Sequence, residues 1–244
     1  NASGSIVASG LPVYKKTIVS TCVAATSGNP GSCVGTTSER KITTDYGAQA
    51  AGTANNLLPL TSTSAAGDGS SSTAVGYGYD AVGNRTTIDG PLSGAVDTTR
   101  YRYDTARQLI GVVSADPDGG GARVPLARRT TYNADGDITL EQIGTVADQS
   151  DTAWSNFSEA YRRTWSYDAN GRVNRAKVTS GGVDYAVQDF VYDNMGRQSC
   201  SIQYMNPTNW GAQATSCAPF QTTGPNGPDR VVQLAYDALS RVTT

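Results

Sequence analysis

From Gly76 onward the chain alternates large apolar side chains with small or polar ones, and each alternating run closes on a tyrosine. Tyr77-Gly78-Tyr79, Tyr101-Arg102-Tyr103, Thr130-Thr131-Tyr132, Trp165-Ser166-Tyr167, Phe190-Val191-Tyr192 and Leu234-Ala235-Tyr236 share this form. Positions two apart in a strand project to the same face, so five of the six runs set two large groups on one side. The residue between them faces the other way. A period of two predicts strands, with the Trp165 and Tyr167 side as a buried face.

The residues after each tyrosine predict the turn. Tyr79-Asp80, Tyr103-Asp104, Tyr167-Asp168, Tyr192-Asp193 and Tyr236-Asp237 repeat one dipeptide, and Tyr132-Asn133 is an altered sixth copy. Gly83, Gly171 and Gly196 stand three residues after their aspartates. Asp at the first position of a type I turn accepts backbone N–H bonds, and Gly at the fourth takes positive φ cheaply. A type I turn followed by a left-handed residue is a favoured hairpin connection. Arg85, Arg172, Arg197 and Arg241 stand at or beside the next position, where each can reach back to its aspartate or stack on a neighbouring ring. Arg107 and Ser240 replace the glycine in two copies, so those turns must differ or carry strain. The tyrosines are spaced by 24, 29, 35, 25 and 44 residues. A fixed hairpin with connecting loops of variable length accounts for that irregularity.

Residues 1–75 read as a divergent hairpin repeat and residues 76–244 as an array of about six copies. Within the first part, "PVYKKTIVSTCVAAT" and "SERKITTDYG" predict two strands, and "STSAAGDGSSST" reads as an exposed, mobile connector. "ADPDGGGARVP" and "TTGPNGPDR" are loops. "TAWSNFSEAYRRTW" is the best candidate for a short helix or insertion.

The phrase aromatic-x-Tyr-Asp-x-x-Gly-Arg, repeated several times, resembles the YD repeats of the Rhs family, and the related shells of insecticidal Tc toxins and teneurins. The chain looks most like the large secreted Rhs-repeat proteins of bacteria. The resemblance implies an all-β fold of tandem YD-repeat β-hairpins, joined into a continuous, curved or spiralling antiparallel sheet that forms a hollow shell or tube. In toxin relatives the shell encloses an effector released by an aspartate-containing self-cleaving core. Here only Asp116-Pro117 and Gly119 match that core, and they lie between repeats, so the chain departs from a complete toxin.

Composition narrows function. Only 16% of residues are Asp, Glu, Lys or Arg, against roughly 25% in ordinary domains. A formal charge of -2 gives no electrostatic case for nucleic acid or an anionic membrane, and no apolar run approaches a membrane span. The chain has no histidine, which removes the commonest general base and most transition-metal sites. No catalytic, cofactor-binding or metal-binding set is assigned. Cys22 with Cys33, and Cys200 with Cys217, each bracket a loop, and neither pair has C-x-x-C spacing. Two disulfides stapling those loops imply an oxidising compartment, hence a secreted or cell-surface protein; the alternative is four buried thiols in a cytosolic one.

The remaining candidate for chemistry is the array itself. Tyr79, Asp80, Gly83, Tyr103, Asp104, Tyr132, Trp165, Tyr167, Asp168, Gly171, Arg172, Tyr192, Asp193, Gly196, Arg197, Tyr236 and Asp237 either build hairpins or present rings and carboxylates to sugars. The building role also explains the glycines, and it is the preferred reading. "NADGD" at 133–137 mimics a calcium loop, but its Gly is misplaced and no Glu closes it. The tripeptides "NAS", "NRT" and "NFS" match glycan acceptors. The expected function is a non-catalytic wall segment of a large secreted or surface polypeptide, which pairs with further repeats or neighbouring copies through open strand edges and assembles into a filament or tube. A cocoon segment around a toxin effector and a glycan-binding adhesion module are the alternatives.

Overall fold

The computed structural model describes residues 14–22, 33–48, 55–218 and 224–243. The protein is all-β, with fourteen antiparallel strands and one single-turn α-helix among the described residues. It divides into two compact units, Asn1–Pro125 and Leu126–Thr244.

The first unit holds β1 (Ile18–Cys22), β2 (Glu39–Asp45), β3 (Thr61–Ala66), β4 (Ser72–Tyr79), β5 (Arg85–Asp89), β6 (Thr99–Tyr103) and β7 (Leu109–Val113). Each pairs antiparallel with the next. The stretch at 62–73, expected to be a mobile connector, is instead most of the β3–β4 hairpin. Its turn is set by Asp68, whose Oδ1 accepts the Ser70 N–H at 3.0 Å, and by Gly69 at φ 76°. Small Ser, Thr and Ala side chains do not forbid a strand; neighbours with open backbone groups recruit them into the ladder.

The second unit holds β8 (Leu126–Tyr132), β9 (Ile138–Thr145), α1 (Asp151–Ser155), β10 (Ser158–Tyr167), β11 (Val173–Ser180), β12 (Val183–Tyr192), β13 (Gln198–Gln203) and β14 (Arg230–Gln233). Its strands also pair with their neighbours in chain order. The expected helix at 152–165 is short: α1 is one turn, started by Ser150, whose Oγ accepts the Ala153 N–H at 3.1 Å. From Ser158 the alternating residues belong to β10. Gly181 and Gly182, at φ 55° and 80°, close the β11–β12 hairpin with the two positive φ values of a type I′ turn.

Register decides which face is covered. Arg175 pairs with Asp189, Asp189 with Ile202, and Val191 with Cys200, so these side chains share one face. On that face Val187, Cys200, Ile202 and Tyr204 form the buried cluster, with Val191, Trp210 and Ala214 packed against it. The cover is the segment after β13, bonded back to Cys200 through Cys217. Trp165, Ala176, Gln188 and Gln203 form a cross-strand row on the opposite face. The expectation that Trp165 and Tyr167 supply the buried side is therefore corrected: both are half-buried, and the fully buried side chains are on the other face. The first unit shows the same sidedness. Val113 is 1% exposed and sits opposite Arg100, while Tyr101 pairs with the half-buried Val112. Tyrosines alternating with small residues mark a face, but an inserted loop settles which face loses its water.

Candidate functional site

Five of the repeat tyrosines end their strands, Tyr236 forms an isolated bridge after β14, and each of the six pairs with the residue six positions later. Tyr79 opposes Arg85, Tyr103 Leu109, Tyr132 Ile138, Tyr167 Val173, Tyr192 Gln198 and Tyr236 Val242. In the first five a bulge falls immediately before the tyrosine.

Between the paired residues the turn geometry recurs. Asp168 N–H donates to the Arg172 carbonyl at 2.9 Å and Gly171 N–H to the Asp168 carbonyl at 3.0 Å. Asp168 Oδ1 accepts from the N–H groups of Asn170 and Arg172, at 2.9 and 3.0 Å. Oδ2 takes the Arg172 side chain, Nε at 2.7 Å and Nη2 at 2.6 Å. Asp193 with Arg197 and Asp237 with Arg241 repeat the pattern, at 2.8 and 2.7 Å from Nε. These donors hold the carboxyls below their ordinary value: first the Arg172 side chain for Asp168, and first the backbone N–H of Arg197 and Arg241 for Asp193 and Asp237.

The altered copies keep the backbone. Arg107 and Ser240 occupy the glycine slot at φ 67° and 61°, so these turns carry strain rather than a different geometry. Arg107 adds bonds to Asn84 Oδ1 at 3.0 Å and to the Val82 carbonyl at 3.1 Å. In the sixth copy Asn133 takes the turn-setting role and accepts from Asp135 and Asp137 N–H groups. Its Nδ2 donates to Asp137 Oδ2 at 3.2 Å, so "NADGD" is a turn with donor and acceptor exchanged. Among the described residues no cluster of acidic or sulfur side chains could hold a metal ion. Asn84 spends its side chain on Asp80 and Arg107. Asp116 accepts the Asp118 N–H at 3.1 Å within its own loop. Asn1, in "NAS", lies outside the described residues.

The tyrosine hydroxyls reach from hairpin to hairpin. Tyr103 donates to the Arg85 carbonyl at 3.1 Å, Tyr167 to Ile138 at 2.7 Å, Tyr192 to Val173 at 2.8 Å and Tyr236 to Gln198 at 2.8 Å. Each acceptor is the residue paired with the preceding repeat's tyrosine. The arginines run the same way. While bound to its own aspartate, Arg172 places its guanidinium 4.4 Å from the Tyr192 ring centre, and Arg197 lies 4.5 Å from Tyr236. At the first turn Asn84 takes the arginine's place and donates to Asp80 Oδ2 at 2.8 Å, and Arg85, one position further on, sits 5.5 Å from Tyr101. Reaching back and stacking, which the sequence left open, occur together. Burial raises the Tyr167 and Tyr192 hydroxyls above their ordinary range, so both remain donors. At the Asp168 and Asp193 turns hairpin contacts occupy both the carboxylate and the tyrosine ring of the next repeat.

Sequence reasoning missed a second node. Asp189, fully buried, accepts Arg175 Nε at 2.6 Å and Nη2 at 3.0 Å, the Tyr204 hydroxyl at 2.7 Å and the Ala214 N–H at 2.7 Å. Arg175 also donates to the carbonyls of Trp210 and Ala212. Burial, then the bond to Asp189, pushes the Tyr204 phenol far above its ordinary range. The only sequence signal was an acidic residue at an inward position of β12. A comparable cation holds α1: Arg129 lies between Trp154 and Phe157, 4.6 and 4.5 Å from their ring centres, and burial lowers its pKa. Both cysteine pairs are disulfides, with Cα atoms 5.9 Å apart for Cys22–Cys33 and 5.8 Å apart for Cys200–Cys217. No described helix is long and apolar enough to cross a membrane.

No protein-family model matches the chain, and no curated protein matches it. Among solved structures it is remotely similar to the crystal structure of TcdB2-TccC3-TEV, at 12% identity and a TM-score of 0.33 over 84% of this chain and 12% of that one. The crystal structure of TcdB2-TccC3-Cdc42 is similar at 13% identity and 0.33, over 84% and 13%. That of TcdB2-TccC3 is similar at 12% and 0.29, over 84% and 12%. This chain therefore spans 12% to 13% of the length of the structures it matches.

Proposed function

We propose that the protein is a non-catalytic wall: a run of YD hairpins whose work is to hold the next hairpin in register, as part of a secreted or surface polypeptide. One observation carries the reading. The Asp168 and Asp193 turns spend their reactive groups on their neighbours, the carboxylate on its own arginine, the arginine on the next tyrosine ring, and that tyrosine's hydroxyl on the previous repeat's backbone. Groups satisfied in this way are poor nucleophiles, bases or ligands and good structural ties. The two disulfides support an oxidising compartment.

Negative-stain electron microscopy of the purified polypeptide tests the proposal. Elongated or hollow particles with a curved sheet wall are expected. Compact solid monomers at every concentration, or hydrolytic activity lost on Asp168→Asn, would overturn it.

A further inference from the structure

Arginine guanidinia cover several ring faces along the array, but among the described residues none lies over Trp165. Its neighbour in the row is Ala176, followed by Gln188 and Gln203. The next row is Arg163, Val178 and Ala186. Together these residues line a recess of about 220 Å³, floored by methyl groups and rimmed by two amides and a guanidinium. Strands lie about 4.8 Å apart, so the backbone positions of Trp165 and Gln188 stand about 10 Å apart across Ala176, and their side chains both line the recess.

Two features make this more than a bare sheet face. Gln203 is anchored, its Nε2 donating to the Val187 carbonyl at 3.1 Å. The Gln188 amide has no hydrogen-bond partner among the described residues. An open indole beside an uncommitted amide, over a floor of small side chains, has the chemistry of a polyhydroxylated ring. The apolar C–H face of the ring lies on the indole, and vicinal hydroxyls meet an amide that both donates and accepts. A recess smaller than the 300 Å³ or so of a drug-sized site suits one ring rather than a larger ligand.

We propose that Trp165, Gln188 and Ala176 form a shallow subsite for one pyranose ring of a glycan chain. The site is separate from the turn tyrosines and aspartates, and it does not depend on the wall reading. Ala176 keeps the indole uncovered; Gln188 selects hydroxyl orientation.

Saturation-transfer NMR on the intact chain with chito-, cello- and malto-oligosaccharides tests it. Transfer to ring C–H hydrogens of at least one series is expected. Trp165→Ala should abolish it, and Gln188→Ala should weaken binding by about tenfold, the loss of one good hydrogen bond. Ala176→Arg keeps the indole but covers it, and should abolish transfer while the melting temperature is retained. Tyr185→Ala, at an exposed residue that does not line the recess, should change nothing. Absence of transfer to all three series, or transfer that survives both Trp165→Ala and Ala176→Arg, would overturn the assignment.

Discussion

The hydroxyl of Tyr192 donates to the carbonyl of Val173 at 2.8 Å, and Val173 is the residue paired with Tyr167 one hairpin earlier. The bond therefore ties the end of one turn to the end of the next. Tyr192→Phe removes it and leaves the ring under Arg172. We expect a loss of about 1 kcal/mol, read as a lower denaturant midpoint at unchanged slope. An unaltered midpoint would show that the tie carries no stability.

Gly171 and Gly196 occupy the same left-handed turn position, at φ 74° and 82°, but differ in surroundings. A methyl group at Gly171 meets nothing within 4 Å, whereas one at Gly196 comes 3.1 Å from Arg172 Nη1. Gly171→Ala should cost about 1 kcal/mol from backbone strain alone. Gly196→Ala should cost more, because it also displaces the guanidinium from Tyr192. Thermal melts of the two variants side by side check the order.

The Asp189 carboxylate is the counter-ion that lets Arg175 sit beneath the covering segment. Asp189→Asn leaves the guanidinium without its charge partner and should cost about 3 to 5 kcal/mol. Limited proteolysis reads the effect locally: cleavage should begin within 204–217 before any strand is cut. Equal protection in the variant would remove Asp189 from this role.

The turn carboxyls give an acid limb to stability. Asp168, Asp193 and Asp237 titrate below the ordinary 3.8 in the folded chain. A depressed carboxyl contributes stability above its unfolded value, and that contribution is lost as pH falls through the folded value. The loss therefore lies below about pH 4. Carboxyl ¹³C shifts followed from pH 6 to 2 should place all three midpoints under 3.8 and show the turns releasing together.

Reduction separates the two faces. Opening Cys200–Cys217, which closes a 17-residue separation, should destabilise the cover of the buried cluster by about 3 kcal/mol. Hydrogen exchange at Ile202 and Tyr204 should rise on reduction, while exchange at the Asp168 turn stays as it was.

The turns were legible because every interaction in them is local. Asp168, Gly171 and Arg172 lie within five residues, and the φ requirement, the accepting carboxylate and the returning guanidinium all follow from their order. The strands were legible for the same reason, since alternation is a property of neighbours. Residues 62–73 misled because small polar side chains carry no alternation signal, and only the flanking strands recruit them. Sequence by itself thus determined the hairpin unit, its turn chemistry and the all-β class. Tertiary structure decided what lies between units and across the sheet: that Arg172 holds Asp168 and Tyr192 at once, that Asp189 meets Arg175 and Tyr204, and that the face opposite Trp165 is the one sealed from water. Those relations depend on strand register and on where a disulfide-bound segment folds back. Register is set by pairings between residues far apart in the chain, so no short window of sequence contains it.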